Sequence, residues 1–160
     1  MNTNKQFAHE KENEQRKKLK KMLLFSDYIP IFPEDEFSRT DGYLINMFTD
    51  KRYDFESKWY GNIKYQRNSD KFPNYQIDYD KLVALEKRSK EQNSTPLLIC
   101  FFSNELVIWN INNCDWKSTK KSVYTNKIGG AYGQQKEYSY QAYLQLNDAI
   151  YRNPQITPFT

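Results

Sequence analysis

The sequence contains one histidine, His9, two cysteines, Cys100 and Cys114, and five glycines in 160 residues. A lone histidine in a segment that reads as surface helix gives little support to a nucleophile–histidine triad. Two cysteines do not look like a disulfide framework or a zinc site. Cys100 lies inside an apolar run and reads as a buried thiol. The G-G-A-Y-G run at Gly129 to Gly133 follows neither the Walker nor the dinucleotide spacing, so no phosphate-cradling loop is expected. No apolar run approaches the roughly 18 residues that suggest a membrane span. The opening M-N-T-N-K-Q has no apolar h-region, and no signal peptide is expected. The expectation is a soluble, reducing, cytoplasmic setting without membrane contact.

What is present is charge and aromatic surface. Lysine and arginine outnumber aspartate and glutamate by 24 to 20, a formal +4, which is compatible with a polyanionic partner without demonstrating one. Aromatic residues make up 16% of a chain that is 38% hydrophobic, so tyrosines have to help build the core. The length suits one domain with a single core.

The stretch from Asp41 to Lys58 (D-G-Y-L-I-N-M-F-T-D-K-R-Y-D-F-E-S-K) organises the rest. It reads as a strand over 41–48, a polar turn from Thr49 to Arg52, and a strand over 53–60. Side chains alternate across a strand, so Asp54, Glu56 and Lys58 share one face and Phe55, Ser57 and Trp59 the other. A pairing that sets Asp41 near Lys58 puts Glu56 diagonally across from Asp41. Two carboxylates and an ammonium on one side of a sheet can hold a divalent cation and activate water. An exposed edge strand protected by alternating charge would show the same D-x-E-x-K pattern.

Around this stretch, residues 4–25 read as a charged helix with apolar residues only near its end: Leu19, Met22, Leu23 and Phe25. Its R-K-K-L-K-K run (Arg16 to Lys21) is either a solvated face or a phosphate contact. Glu14 is a candidate for reaching the sheet edge, against the alternative of facing solvent. Pro30 and Pro33 make 26–40 a connector. Residues 61–77 continue the strand and become a loop in which Lys64, Gln66, Arg67 and Lys71 alternate with Tyr65, Phe72 and Tyr75. Such interleaving suits a nucleic-acid surface, or a loop whose aromatics tuck inward. Residues 78–92 form the clearest helix, with Asp78 as N-cap, Leu82, Leu85 and Val83 as its apolar stripe, and Lys81 in the first turn, a candidate for pointing back toward the strand site. The run Leu97 to Phe102 reads as a central strand, followed by a turn at Ser103 to Glu105 and another strand. Residues 112–137 read as loop-rich, carrying Lys117, Lys120 and Lys121, either a binding loop that orders on a ligand or a mobile loop. Residues 138–151 read as an edge strand ending in a helical turn, with a fraying tail.

The order helix, strand with Asp41, strand with Glu56-Ser57-Lys58, helix from Asp78, apolar strand from Leu97 resembles the PD-(D/E)xK nuclease superfamily, the restriction-endonuclease-like fold. The resemblance covers roughly residues 5–111. It implies an α/β fold with a mixed sheet of four to five strands flanked by helices. In domain terms it implies one nuclease-like unit over 1–152, with a helix at 4–25, a core at 38–111, a loop-rich part at 112–152 and a tail at 153–160. It implies Mg²⁺ (or Mn²⁺) held by Asp41, Glu56 and the Ser57 carbonyl, with Lys58 assisting the attacking water. Arg39-Thr40 precede Asp41, so the proline of the motif's name is absent. The partner would be DNA, its backbone held by Lys64, Arg67, Lys81, Lys117, Lys120 and Lys121. A homodimer would bring two sites to a duplex. The alternative is a non-catalytic nucleic-acid- or protein-binding module on the same fold.

Overall fold

The computed structural model describes residues 4–24, 26–34, 41–60, 74–102, 105–128 and 134–154. Among these the chain forms α1 (Asn4–Leu23), β1 (Tyr28–Ile31), β2 (Gly42–Asn46), β3 (Arg52–Tyr60), β4 (Asn74–Asp78), α2 (Tyr79–Glu91), β5 (Thr95–Phe102), β6 (Glu105–Asn110), β7 (Lys121–Ile128), β8 (Gln134–Gln145) and β9 (Tyr151–Pro154). A six-stranded sheet runs β1-β2-β3-β5-β6-β9, and a second sheet runs β4-β8-β7. β3 and β5 pair in parallel, while the other neighbours in both sheets are antiparallel. The mixed α/β architecture is as expected, but the main sheet is larger than four or five strands. The added strands are β1 and β9, at its two edges.

The alternation of β5 divides the core. Leu97, Ile99 and Phe101 join Leu19 of α1, Phe55 and Leu44 on one side. Leu98, Cys100 and Phe102 join Leu82 and Leu85 of α2, Trp109, and Ala142 and Leu144 of β8 on the other. The helices therefore cover opposite faces, and the small sheet shares the α2 side. A strand buried on both faces explains why 97–102 reads as an unbroken apolar run. Cys100 is fully buried, and that burial holds its thiol well above the ordinary cysteine range.

Several elements differ from expectation for identifiable reasons. The connector around Pro30 contains β1, which pairs only with β2. An edge strand has one side with no ladder bond to lose, so it tolerates proline. The stretch 112–137 is not a loop. It carries two 3-10 turns and β7, and β8 begins within it. Its polar, glycine-containing composition hid a hairpin whose strands pair from Lys121↔Gln141 to Ile128↔Gln134. β8 is the middle strand of its sheet rather than an edge. β9 extends order beyond Arg152 by pairing with β6. On α2, Leu82 and Leu85 are buried, but Val83 is exposed. Asp78 precedes α2 without capping it. Its Oδ1 instead accepts a 2.7 Å hydrogen bond from Gln141 Nε2, tying the helix start to β8.

Candidate active site

β2 and β3 pair with Tyr43 opposite Asp54 and Gly42 opposite Phe55. Asp41 lies just before the ladder and meets β3 at Ser57. The expected pairing of Asp41 with Lys58 is off by two residues. An even slip keeps the alternation of the paired residues, but Asp41, just outside the ladder, turns to Ser57 on the α1 side, while Glu56 faces α2. Gly42 makes the approach possible. Its φ is +141°, and a Cβ there would meet the Ile31 carbonyl oxygen at 2.5 Å and the Phe55 ring at 3.0 Å.

β3 lies inside the sheet, between β2 and β5. That removes the edge-strand explanation for its charges. Asp54 is 2% exposed and Glu56 8%. Buried carboxylates need partners, and the two acids find different ones. Asp54 is bound by Arg52, whose Nε and Nη2 donate at 3.1 Å each, and it accepts from Ser94 Oγ. It pins β3 to the end of α2 and is structural. Glu56 instead faces α2. Lys81 Nζ lies 3.4 Å from its Oε1 and Arg88 Nη2 3.8 Å from its Oε2. Lys81, Leu85 and Arg88 follow i, i+4, i+7 spacing, which puts both cations on the face that Leu85 buries. Lys81 was anticipated here. Arg88 was missed, although that spacing is visible in the sequence.

Asp41 uses Oδ2 to accept the Ser57 backbone N–H at 2.8 Å. Ser57 Oγ is shared between the same oxygen and Gln15 Oε1 of α1, each at 3.3 Å. A narrow notch between α1 and the sheet, lined by Glu12, Gln15, Arg16, Phe32, Asp41 and Ser57, opens beside it. The helix residue that reaches the site is thus Gln15. Glu14 is exposed.

The titrations are linked. Burial raises the Glu56 carboxyl above its ordinary range, and the negative charge of Asp41 raises it further; Lys81, Lys58 and Arg88 pull it down. Burial lowers Lys58, and contact with the charged Lys81 lowers it more, against the pull of Glu56 and Asp78. Burial would lower Lys81 as well, but its contact with Lys58 and the carboxylates of Glu56 and Asp41 raise it overall. The two lysines thus divide the work. Lys81 holds a proton more firmly than an ordinary lysine, and Lys58 releases one more easily.

Among the described residues no group of three or more His, Cys, Asp or Glu side chains gathers as a metal site. The donor set here is the carboxylates of Asp41 and Glu56, close enough for the charge of one to act on the other, plus the Ser57 backbone. Hard oxygens suit Mg²⁺, which keeps several of its waters and needs few protein ligands. The mutual repulsion of Asp41 and Glu56 is what a cation between them would relieve. The residues fit a hard divalent ion, with Lys81 as its competitor for Glu56.

The remaining candidates lie elsewhere. Lys64 and Arg67 fall outside the described residues. Lys117 pairs with Glu86 at 2.8 Å. Lys120 sits 4.6 Å from the Tyr79 ring centre and 4.3 Å from that of Tyr140, and Lys121 lies 5.4 Å from Tyr143. In the basic run of α1, Arg16 pairs with Glu12 at 2.8 Å, and both Arg16 and Lys20 lie over Phe32. No described helix is long and apolar enough to cross a membrane.

No protein-family model matches the chain, and no curated protein matches it. Among solved structures, the chain is similar to Hjc from Archaeoglobus fulgidus, a Holliday junction resolvase from an archaeal hyperthermophile. The identity is 9% and the TM-score 0.47, covering 78% of this chain and 84% of that one. A likeness of that size assigns no residue a role.

Proposed function

We propose that this chain is a Mg²⁺-dependent nuclease hydrolysing phosphodiester bonds in DNA. The observation that carries the reading is Asp41 bound to Ser57 of an interior strand and close enough to act on the buried Glu56, with Lys58 two residues beyond Glu56 and in contact with Lys81. Asp41, Glu56 and the Ser57 carbonyl would hold the ion. When bound, a divalent ion polarises a phosphoryl oxygen and lowers the pKa of a coordinated water. The chain's own groups supply the rest. Lys58, which gives up its proton more readily than an ordinary lysine, orients the attacking water and takes part in its deprotonation. Lys81, which stays charged beside it, counters the charge developing on the phosphate. The Ser57 N–H fixes the Asp41 carboxylate, and Gln15 steadies the Ser57 hydroxyl.

The test is cleavage of plasmid, branched and single-stranded DNA with Mg²⁺ or Mn²⁺. Glu56→Ala and Lys58→Ala should each lose about 100-fold or more in rate. Cutting that survives both substitutions would move the chemistry elsewhere. One observation favours a second reading, a non-catalytic binding module: both oxygens of Glu56 already face cations of α2. That reading predicts no Mg²⁺ binding by calorimetry and no cutting on any substrate.

A further inference from the structure

The inner face of the β4-β8-β7 sheet continues past the core. Ala142 and Leu144 of β8 are buried against α2. Tyr140 and Tyr138, on the same face by alternation, are 53% and 72% exposed. Tyr124 of β7 stands directly across from Tyr138, with ring centres 4.6 Å apart, and is 47% exposed. This row does not drift away from the candidate site. Lys120 bridges Tyr140 to Tyr79, the first residue of α2. Lys81, which reaches Glu56, lies in that same first turn. The tyrosine row therefore reaches, through Lys120, the N-terminal turn of α2 that also carries Lys81.

Resting on the nuclease reading, we infer that this face binds an unpaired, single-stranded segment of the DNA substrate, with Tyr138, Tyr124 and Tyr140 stacking on its bases. Two features select this occupant. Three exposed rings on one face offer flat apolar area that every base can cover, whatever its sequence. Lys120 adds positive charge for the backbone beside them, and a cation next to aromatic rings is the pairing that single-strand grooves use. Duplex DNA is a poorer fit, because its base faces are already covered by their neighbours.

The experiment measures fluorescence anisotropy of a labelled oligothymidine and of a duplex of equal length. It uses the full chain in EDTA, so that no cutting occurs. Wild type should prefer the single strand. Tyr138→Ala and Tyr140→Ala should each weaken single-strand binding by about tenfold. Tyr138→Phe and Tyr140→Phe, which keep the ring, should restore it. Thermal melts of the alanine variants that match wild type remove misfolding as the cause. Unchanged single-strand affinity in both alanine variants overturns the inference. So does equal weakening on the duplex, or self-association that the alanine variants abolish while single-strand binding persists, which would give the face to a second copy of this chain. Plasmid cleavage with Mg²⁺, run alongside on wild type and Lys58→Ala, separates the two readings. Cutting without a tyrosine effect sinks only the stacking surface, and a tyrosine effect without cutting sinks only the nuclease.

Discussion

Lys58 and Lys81 share one buried corner, and their protons are not independent. A charged Lys81 lowers Lys58, so replacing it by an uncharged residue should raise Lys58 again. Cleavage by wild type should therefore rise with pH below the ordinary lysine range, as Lys58 loses its proton. Lys81→Met should move that rise to higher pH. The shift is also measurable without activity, by NMR titration of the Lys58 side chain. A Lys58 titration that ignores the Lys81 substitution would break the proposed division of roles. Glu56 gives the opposite limb. Its carboxyl is raised above 4.5, so a proton competes with Mg²⁺ for it at a higher pH than for a free glutamate. Mg²⁺ should raise the melting temperature near neutral pH. As pH falls, that gain should disappear before the ordinary carboxylate range is reached, and Glu56→Gln should lack it throughout.

At the scale of elements, the site depends on how β2 meets β1 and β3. Gly42 sits between the Ile31 carbonyl and the Phe55 ring with no room for a Cβ. Gly42→Ala should cost about 1–3 kcal/mol in chemical denaturation. It should also weaken metal binding, because Asp41 is the next residue and moves with it. Metal affinity equal to wild type in this variant would show that Asp41 is held by something other than the ladder. The D-G pair that opens this strand was visible in the sequence, as were the strands, the acids and Lys58. The register was not, because the Asn46–Arg52 connection does not announce its turn. It is closed by the Asn46 side chain, which accepts the N–H groups of Phe48 and Thr49, and by Asp50 at φ 57°. β1 was hidden by its proline, and the β7–β8 hairpin by its polar composition, with Ala142 and Leu144 of β8 as its described residues in the core. Arg88 was hidden because a charged residue near a helix end usually reads as solvated.

For the whole molecule, the main sheet ends on β1 at one edge and β9 at the other. β9 holds to β6 through four paired residues and through Arg152, whose Nη2 lies 2.6 Å from the buried Glu105. Arg152→Ala leaves that carboxylate short of its fork partner and should cost about 1–3 kcal/mol. The cation is partly exposed, so the low end is expected at high salt. A melt unchanged from wild type would mean that β9 contributes little to the fold.

The parallel pairing of β3 with β5 sets Tyr53 beside Thr95, with β4 and α2 in the chain between them. Antiparallel neighbours can meet through a short turn; this pair meets only after a long loop has closed, at an entropic cost that no local contact offsets beforehand. Asp41 and Glu56 can approach within their hairpin early, but Lys81 and Arg88 arrive only with that closure. The proposed ligands, Asp41, Glu56 and the Ser57 carbonyl, all belong to the early hairpin, so a divalent ion should speed folding as well as slow unfolding. For this protein, a divalent ion would act as a guide to assembly before α2 arrives with its competing cations.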